Sequence, residues 1–102
     1  MLPKRRRLSA REVKDVLAAG RSRRASLLSA KYVTGSNVLR ASAVVSKKVA
    51  KKAVERNRLR RALYRALTAY KGTGTAVIFI QKVPAGPLTP AFLNDLVVLL
   101  KN

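Results

Sequence analysis

A dense run of positive charge leads directly into an amphipathic helix in the middle of this chain. Residues 47–65 hold nine Lys and Arg side chains and one acid, Glu55. From residue 59 to residue 70, apolar side chains recur at the three- and four-residue spacing of one helix face, and Gly72 follows the end of the pattern. A cationic row occupies the opposite side of this helix: Arg58, Arg61 and Arg65. A helix of this kind needs a core for one face and a polyanion for the other.

Positive charge is concentrated rather than spread along the sequence. The net charge is +19 over 102 residues, and of the 23 Lys and Arg residues nine lie in residues 4–24 and nine in residues 47–65. Self-repulsion of this size destabilises a compact state, so two merely solvated faces are the weaker explanation. With 48% apolar residues, the chain is too hydrophobic for a disordered basic tail. We therefore predict one folded nucleic-acid-binding domain over residues 1–102, with residues 1–7 as a basic N-terminal arm.

The residue types that enzymes use most are scarce. The chain has no Cys and no His, and its four acids are Glu12, Asp15, Glu55 and Asp95. Disulfides, thiolate nucleophiles, histidine bases and clusters of metal-binding carboxylates are therefore not expected. No glycine-rich phosphate-binding motif is present, which counts against a small-molecule cofactor. Any chemistry that this protein serves is expected to be carried out by a partner.

The sequence predicts neither a membrane segment nor a signal peptide. The basic N-terminus is not followed by an apolar region, and the apolar run at residues 96–100 is too short to span a bilayer. We expect a cytoplasmic protein with no membrane partner.

Capping residues mark the first helix. Ser9 and Glu12 form a capping box for a helix over residues 9–19, and Gly20 is placed for a left-handed C-terminal cap. Acids near the start of a helix also favour its dipole. Capping is therefore preferred over catalysis as the role of Glu12 and Asp15.

Three later segments have the composition of strands. Residues 26–34 and 38–46 are predicted to pair as a hairpin through the glycine-containing turn between them, as two strands or divided into three. Residues 75–81 are rich in β-branched side chains and are predicted to form a central strand. A last helix, capped by Thr89 with Pro90 as its first residue, completes the order α-β-β-α-β-α.

The aromatic side chains limit the kind of nucleic-acid recognition. Phe79 and Phe92 are at predicted core positions, and Tyr70 closes the apolar stripe of the helix. Tyr32, on a predicted strand, is a candidate for base stacking, and a core role for it is equally well supported. A stacking platform needs several exposed aromatics on neighbouring strands. We therefore expect recognition to be dominated by the backbone and shape of the nucleic acid.

A specific motif spans the end of the second predicted strand, the basic run and the start of the helix. Val-Ser-Lys-Lys-Val at residues 45–49 is followed by Ala-Val-Glu at 53–55 and Arg-Asn-Arg-Leu-Arg-Arg at 56–61. This order resembles the signature of the bacterial ribonuclease P protein subunit. The flanks are similar too, with a basic N-terminus, Gly-Arg-Ser at 20–22 after the first helix, and Arg40 before the strand. The resemblance implies a small α+β sandwich in which the helix after the signature joins neighbouring parallel strands by a left-handed crossover, against the usual hand.

The same resemblance implies a function in transfer RNA maturation. Proteins of this family bind a large catalytic RNA that removes the 5′ leader of precursor tRNA, an endoribonuclease reaction. The protein assists substrate binding and metal affinity and carries no catalytic group. The implied partners are the catalytic RNA and precursor tRNA, with Mg²⁺ bound mainly by the RNA. A ribosomal or other structural RNA-binding protein is the alternative, followed by a DNA-binding protein.

Two sets of residues take roles from the resemblance. Those implied to face the catalytic RNA are Arg5, Arg7, Lys47, Lys48, Lys51, Lys52, Arg56, Asn57, Arg58, Arg60, Arg61 and Arg65. Those implied to line a leader-binding cleft between the first helix and the sheet are Val13, Leu17, Lys31, Tyr32 and Ser46. The chain departs from the family where Val13 and Leu17 replace aromatic residues that are common in the first helix. Base stacking on that helix is therefore expected to be lost.

Overall fold

Helices and strands are interleaved along the chain in the computed structural model, which describes residues 6–35 and 38–100. The elements in chain order are α1 (Ala10–Ala19), β1 (Arg21–Arg24), β2 (Leu28–Val33), β3 (Arg40–Val45), α2 (Ala53–Ala69), β4 (Thr75–Ile80) and α3 (Leu88–Leu99). The strands form one mixed sheet in the order β1-β2-β4-β3. The predicted α+β class is confirmed.

The apolar stripe of α2 packs against one face of the sheet, with α3 beside it. Leu59, Leu63 and Leu67 of this stripe are at most 4% exposed. Small side chains line the strands on this face: Ala30, Ala41, Ala43 and Ala76 are all buried. Because alanine side chains are short, the helices can approach the sheet closely at these positions and pack at interior density. The predicted stripe of α2 is thereby confirmed.

The pairing of the strands differs from the predicted hairpin. β4 lies between β2 and β3, antiparallel to β2 and parallel to β3. The most apolar strand takes the centre, where both of its edges are paired, and α2 carries the chain from β3 across to β4. The hairpin prediction is therefore wrong, whereas the central strand predicted at residues 75–81 is confirmed. The left hand of the crossover stays a prediction, and residues 36–37 of the expected turn lie outside the described residues.

An additional strand, β1, precedes the region in which the sequence predicts strands. It pairs antiparallel with β2, so that Arg21 is opposite Tyr32 and Arg24 is opposite Ser29. Its sequence, Arg-Ser-Arg-Arg, has no apolar residue. It covers the edge of β2 and forms the edge of the sheet itself, a position in which short and charged strands are common. The additional strand is therefore β1 rather than a division of residues 26–46.

The ends of α1 and α3 correct two further details. Gly20 is not a left-handed cap, because its φ is −72°. A Cβ there would lie 2.5 Å from the carbonyl oxygen of Val16, so close packing is what requires glycine. α3 begins at Leu88, which makes Pro90 its third residue and places Thr89 inside the helix rather than at its cap. Proline is tolerated there because the first N–H groups of a helix have no helical partner.

A buried carboxylate ties α3 to the start of β2. Asp95 is 8% exposed, and its Oδ2 accepts hydrogen bonds from the backbone N–H groups of Leu27 and Leu28, each at 2.9 Å. Two N–H donors are suitable partners for an anion that is withdrawn from water. The end of β4 also contacts this segment, since the backbone N–H of Gln81 donates to the carbonyl oxygen of Leu27 at 2.7 Å. Asp95 therefore has a structural role.

We predict that Asp95→Ala lowers the free energy of unfolding by about 2–3 kcal/mol, because two backbone donors lose their acceptor. Asp95→Asn retains an acceptor oxygen and should lose less. Asn94→Ala, an exposed change in the same helix, should stay within about 0.5 kcal/mol of the wild type. Urea unfolding measures all three, and equal stability of Asp95→Ala and Asn94→Ala would contradict the role given to this carboxylate.

Candidate nucleic-acid interface

The second face of the sheet is partly covered, because α1 crosses it at one end. Near the start of α1, the carboxylate of Glu12 accepts hydrogen bonds from Arg40 of β3. Further along, Val16 shares the lining of one cavity with Val33 of β2 and Thr75 of β4. Arg40, Thr75 and Val33 are partners in register, so they form a row across the strands. α1 follows this row and leaves the other end of the face uncovered.

The uncovered end, which we call the open face, has a central aromatic side chain. In register, Ser29 of β2 and Val44 of β3 lie on either side of Phe79 of β4. Lys31 is the next residue of β2 on this side, and its Nζ donates to Oγ of Ser22 at 2.7 Å. The open face consists of Arg24, Ser29, Lys31, Val44, Phe79 and Gln81.

One flank of α1 borders the open face, and we call the space between this flank and the open face the cleft. Val16 is buried against the sheet, and Asp15 lines the cavity at the covered end. Because successive helical residues turn by about 100°, Val13 and Leu17 lie on the flank away from Asp15, towards the open face. Val13 is half-buried and Leu17 is 41% exposed. Val13 and Leu17 of α1 and Lys31 of β2 therefore border the open face, and the binding of a leader between them stays a prediction.

Tyr32 does not belong to this cleft. Its side chain is 5% exposed and packs in the core on the α2 and α3 side of the sheet. Its hydroxyl donates to the carbonyl oxygen of Thr73 at 2.9 Å, and the Arg23 guanidinium lies 4.3 Å from the centre of its ring. The alternation of strand side chains that turns Lys31 towards the cleft turns Tyr32 away from it. The prediction of Tyr32 as a cleft residue is therefore wrong.

Phe79 shows the opposite error. It is predicted for the core, whereas the structure places it half-buried on the open face. The sequence of β4 is almost wholly apolar, so no period of two separates Phe79 from its buried neighbours Ile78 and Ile80. The pairing of Phe79 with Ser29 places Phe79 on the open face. This pairing depends on the order of the strands, in which β4 lies next to β2.

Glu12 anchors α1 through both its backbone N–H and its carboxylate. Its backbone N–H donates to Oγ of Ser9 at 3.2 Å, and its Oε1 accepts from the backbone N–H of Ser9 at 3.1 Å, which completes the predicted capping box. The same carboxylate forms an ion pair with Arg40, whose Nη2 donates to Oε1 at 3.0 Å. The Arg40 hydrogen bond, followed by the Ser9 backbone hydrogen bond, lowers the pKa of Glu12 from 4.5 to about 2. The carboxylate thus positions α1 at the edge of the cleft.

We predict that this anchor weakens in acid. Because the folded-state pKa of Glu12 is below its ordinary value, its contribution to stability is present above pH 4.5 and is lost as the pH falls to about 2. Glu12→Gln should therefore be less stable than the wild type near neutral pH, and the difference should shrink through this window. Urea unfolding at a series of pH values measures it, with Glu55→Gln as a control for net charge. A difference that stays constant with pH would contradict the prediction.

The N-terminal segment is held along the outer edge of β3. Nε of Arg6 donates to the carbonyl oxygen of Leu39 at 3.0 Å, and Arg7 forms a parallel bridge with Ala41. Arg7 is exposed beside the sheet. Arg5, which is also predicted to face RNA, lies outside the described residues.

The arginine row of α2 is exposed, as its spacing predicts. Arg58, Arg61 and Arg65 line one groove between α2 and the start of α3, with Pro87 and Pro90 on its other side. Arginine presents a planar fork of donors that matches phosphate oxygens. The row therefore offers three such forks at successive turns of one helix.

The loop between β3 and α2 adds lysines next to this helix. Ser46 begins the loop, and its carbonyl oxygen accepts from the backbone N–H groups of Val49 and Ala50 at 3.1 and 3.2 Å. The exposed lysines of this lysine loop are Lys47, Lys48, Lys51 and Lys52. Ser46 lies at the end of the sheet that carries Phe79, because Val45 pairs with Ile80.

Arg56 organises the lysine loop from within. Its Nη1 donates to the carbonyl oxygens of Ala50 and Lys51 at 3.0 and 2.7 Å, and its side chain is half-buried. On the next turn, Nη1 of Arg60 donates to Oδ1 of Asn57 at 2.8 Å. Arg56 thus joins the loop to α2, so the loop and the arginine row form one cationic surface. We call this the α2 surface.

The acids of the chain do not fit a metal site. No group of three or more Asp and Glu residues that could hold a metal ion is found among residues 6–35 and 38–100. Glu12 is paired with Arg40, and Asp95 is bonded to backbone N–H groups. In the same described ranges, no helix is long and apolar enough to cross a membrane.

Comparison with known proteins gives one family. The family model described as Ribonuclease P matches residues 2–101. Comparison with curated protein sequences gives no match. The fold is similar to that of the Staphylococcus aureus RNase P protein, solved at 2.0 Å, with a TM-score of 0.74 and 19% identity over 94% of this chain and 93% of that chain. A mutant of the S. aureus protein with defective mRNA degradation activity gives a TM-score of 0.77 and 20% identity over 96% and 87% of the two chains. The chain belongs to the Ribonuclease P family.

Proposed function

We propose that this chain is the protein subunit of ribonuclease P, which binds a catalytic RNA and assists it in removing the 5′ leader of precursor tRNA. Family membership supports a role in tRNA processing. The observation that carries the proposal is the presence of two distinct surfaces on opposite sides of the sheet. The α2 surface is cationic, whereas the cleft on the other side has an apolar floor and a charged rim.

The α2 surface suits the catalytic RNA. Its arginines and lysines are exposed and closely spaced, and neutralising phosphates with such side chains releases counterions. Arg56 holds the lysine loop against α2, so part of the ordering is complete before RNA binds. The two surfaces can be occupied together, which allows one small protein to contact both the catalytic RNA and its substrate.

The cleft suits a single strand, such as the 5′ leader. Val13 and Leu17 form an aliphatic wall, and Lys31 and Arg24 lie on the sheet side. A single strand can place its bases against apolar surface and its phosphates against cations. Helical RNA, with its bases paired, does not offer that combination.

The protein contributes no catalytic group in this proposal. Glu12 and Asp95 have structural partners. Among the described residues, Asp15 and Glu55 do not belong to a group of acids that could hold a magnesium ion. Magnesium ions are accordingly assigned mainly to phosphates of the RNA. The contribution of this chain is positioning and charge neutralisation, which lowers the repulsion that RNA and substrate phosphates exert on each other. Its proposed location is the cytoplasm.

We predict that the double change Arg58→Ala and Arg61→Ala weakens binding to the catalytic RNA roughly tenfold or more. The slope of log Kd against log salt should fall by about 2, one unit for each arginine that no longer neutralises a phosphate. Filter binding over a range of salt concentrations measures both. Arg11→Ala, an exposed change on α1 across the sheet, is the matched control and should alter neither. Unchanged affinity and slope in the double variant would exclude the arginine row as an RNA-binding element.

We also predict that the protein lowers the magnesium concentration needed for precursor cleavage by the catalytic RNA. Cleavage of precursor tRNA by the RNA alone and by the reconstituted holoenzyme, measured over a magnesium series, tests the proposal. The expected result is a lower midpoint with the protein present, reversed in part by the double arginine variant. A bound, folded protein that leaves the midpoint unchanged would overturn the proposed function. Preferential binding to ribosomal RNA would then support the alternative of a structural RNA-binding protein.

A further inference from the structure

Phe79 is the aromatic side chain that the fold places on the open face. All five aromatic residues of the chain lie in its described part. Phe92 is fully buried and Tyr32 is 5% exposed, while Tyr64 and Tyr70 pack against the core. Phe79 is on the other side of the sheet, half-buried between Ser29 and Val44. Phe79 also lines a cavity on this side of the sheet, so part of its side chain is exposed to solvent.

The cavity over Phe79 has a polar and cationic rim. Its volume is about 330 Å³, and Arg24 and Lys31 line it together with Ser29 and Gln81. Nε2 of Gln81 donates to Oγ of Ser29 at 2.7 Å, which holds the amide at the edge of the ring. The rim therefore combines two cations, which suit phosphates, with an amide that can bond the edge of a base.

An aromatic floor with this rim matches one nucleotide of a single strand. Base stacking on an aromatic ring requires an open ring face, and the cations at the rim would contact the flanking phosphates. A small apolar ligand would use neither cation. The walls from α1 are aliphatic at Val13 and Leu17, so stacking in this cleft depends on the floor.

We propose that Phe79 stacks on a base of the single-stranded 5′ leader and is the residue through which this protein distinguishes precursor tRNA from mature tRNA. This inference rests on the proposed function and identifies the cleft residue that stacks on the leader. Gln81, beside the ring, contacts the edge of the stacked base. Arg24 and Lys31 neutralise the phosphates on either side of it.

The test uses the reconstituted holoenzyme with Phe79→Leu, which keeps an apolar side chain and removes the stacking ring. The affinity for precursor tRNA, relative to mature tRNA, should fall by about 5- to 100-fold. Phe79→Tyr should retain most of the discrimination. Val98→Ala, an exposed change on α3 on the other side of the sheet, is the matched control and should change the ratio little. Urea unfolding of the free proteins shows that each variant is folded.

A spectroscopic measurement identifies the contact itself. Precursor tRNAs that carry 2-aminopurine at successive leader positions should show quenched fluorescence at one position with the wild-type holoenzyme, because stacking quenches this base. The quench should disappear with Phe79→Leu and persist with Phe79→Tyr. Equal discrimination and equal quenching in the wild type and Phe79→Leu would overturn the inference while leaving the proposed function intact. A wild-type protein that binds neither the catalytic RNA nor the leader would instead overturn the proposed function.

Discussion

Burial of the apolar stripe of α2 against the alanine-rich face of the sheet is the interaction on which the rest of the structure depends. A chain with a net charge of +19 repels itself, and apolar burial is the main force that opposes this repulsion. The stripe contributes the leucines of α2, and the face of the sheet contributes alanines together with larger side chains such as Ile78 and Ile80. Because the stripe faces the sheet, the arginines on the opposite side of α2 face outward. Folding and presentation of positive charge are consequences of the same packing.

Parallel pairing of β3 with β4 follows from that position of α2. Two parallel neighbours need a crossover between them, and α2 is that crossover. The lysine loop lies just before α2, and the arginine row lines the groove between α2 and α3. The lysine loop and the arginine row therefore lie on the same side of the sheet. The other side receives α1, which is too short to cover it. The cationic α2 surface and the cleft on the opposite side of the sheet thus arise from one layered arrangement.

The few acids of the chain serve its architecture. Asp95 bonds two backbone N–H groups at the start of β2, and Glu12 joins the cap of α1 to Arg40 of β3. Each carboxylate lies between elements that are distant in sequence. Acids in these positions stabilise the fold without reducing the charge of the α2 surface. Glu55, in the first turn of α2, is the acid nearest to that surface, and it lies at a helix start where the dipole favours it.

Elements that depend only on neighbouring residues could be predicted from the sequence. The stripe of α2, the capping box of α1 and the apolar character of β4 are of this kind, and the motif at residues 45–61 led to the family. The order of the strands was decided by tertiary structure, because pairing depends on which edges and faces are covered in the whole molecule. That order placed Tyr32 in the core, one of the two roles that the sequence left open, and it placed Phe79 on the open face, where the local pattern predicts a core position. The sequence by itself therefore determined that this protein is a cationic, helix-bearing RNA-binding chain. Only the assembled sheet decided which of its aromatic rings lies on the open face.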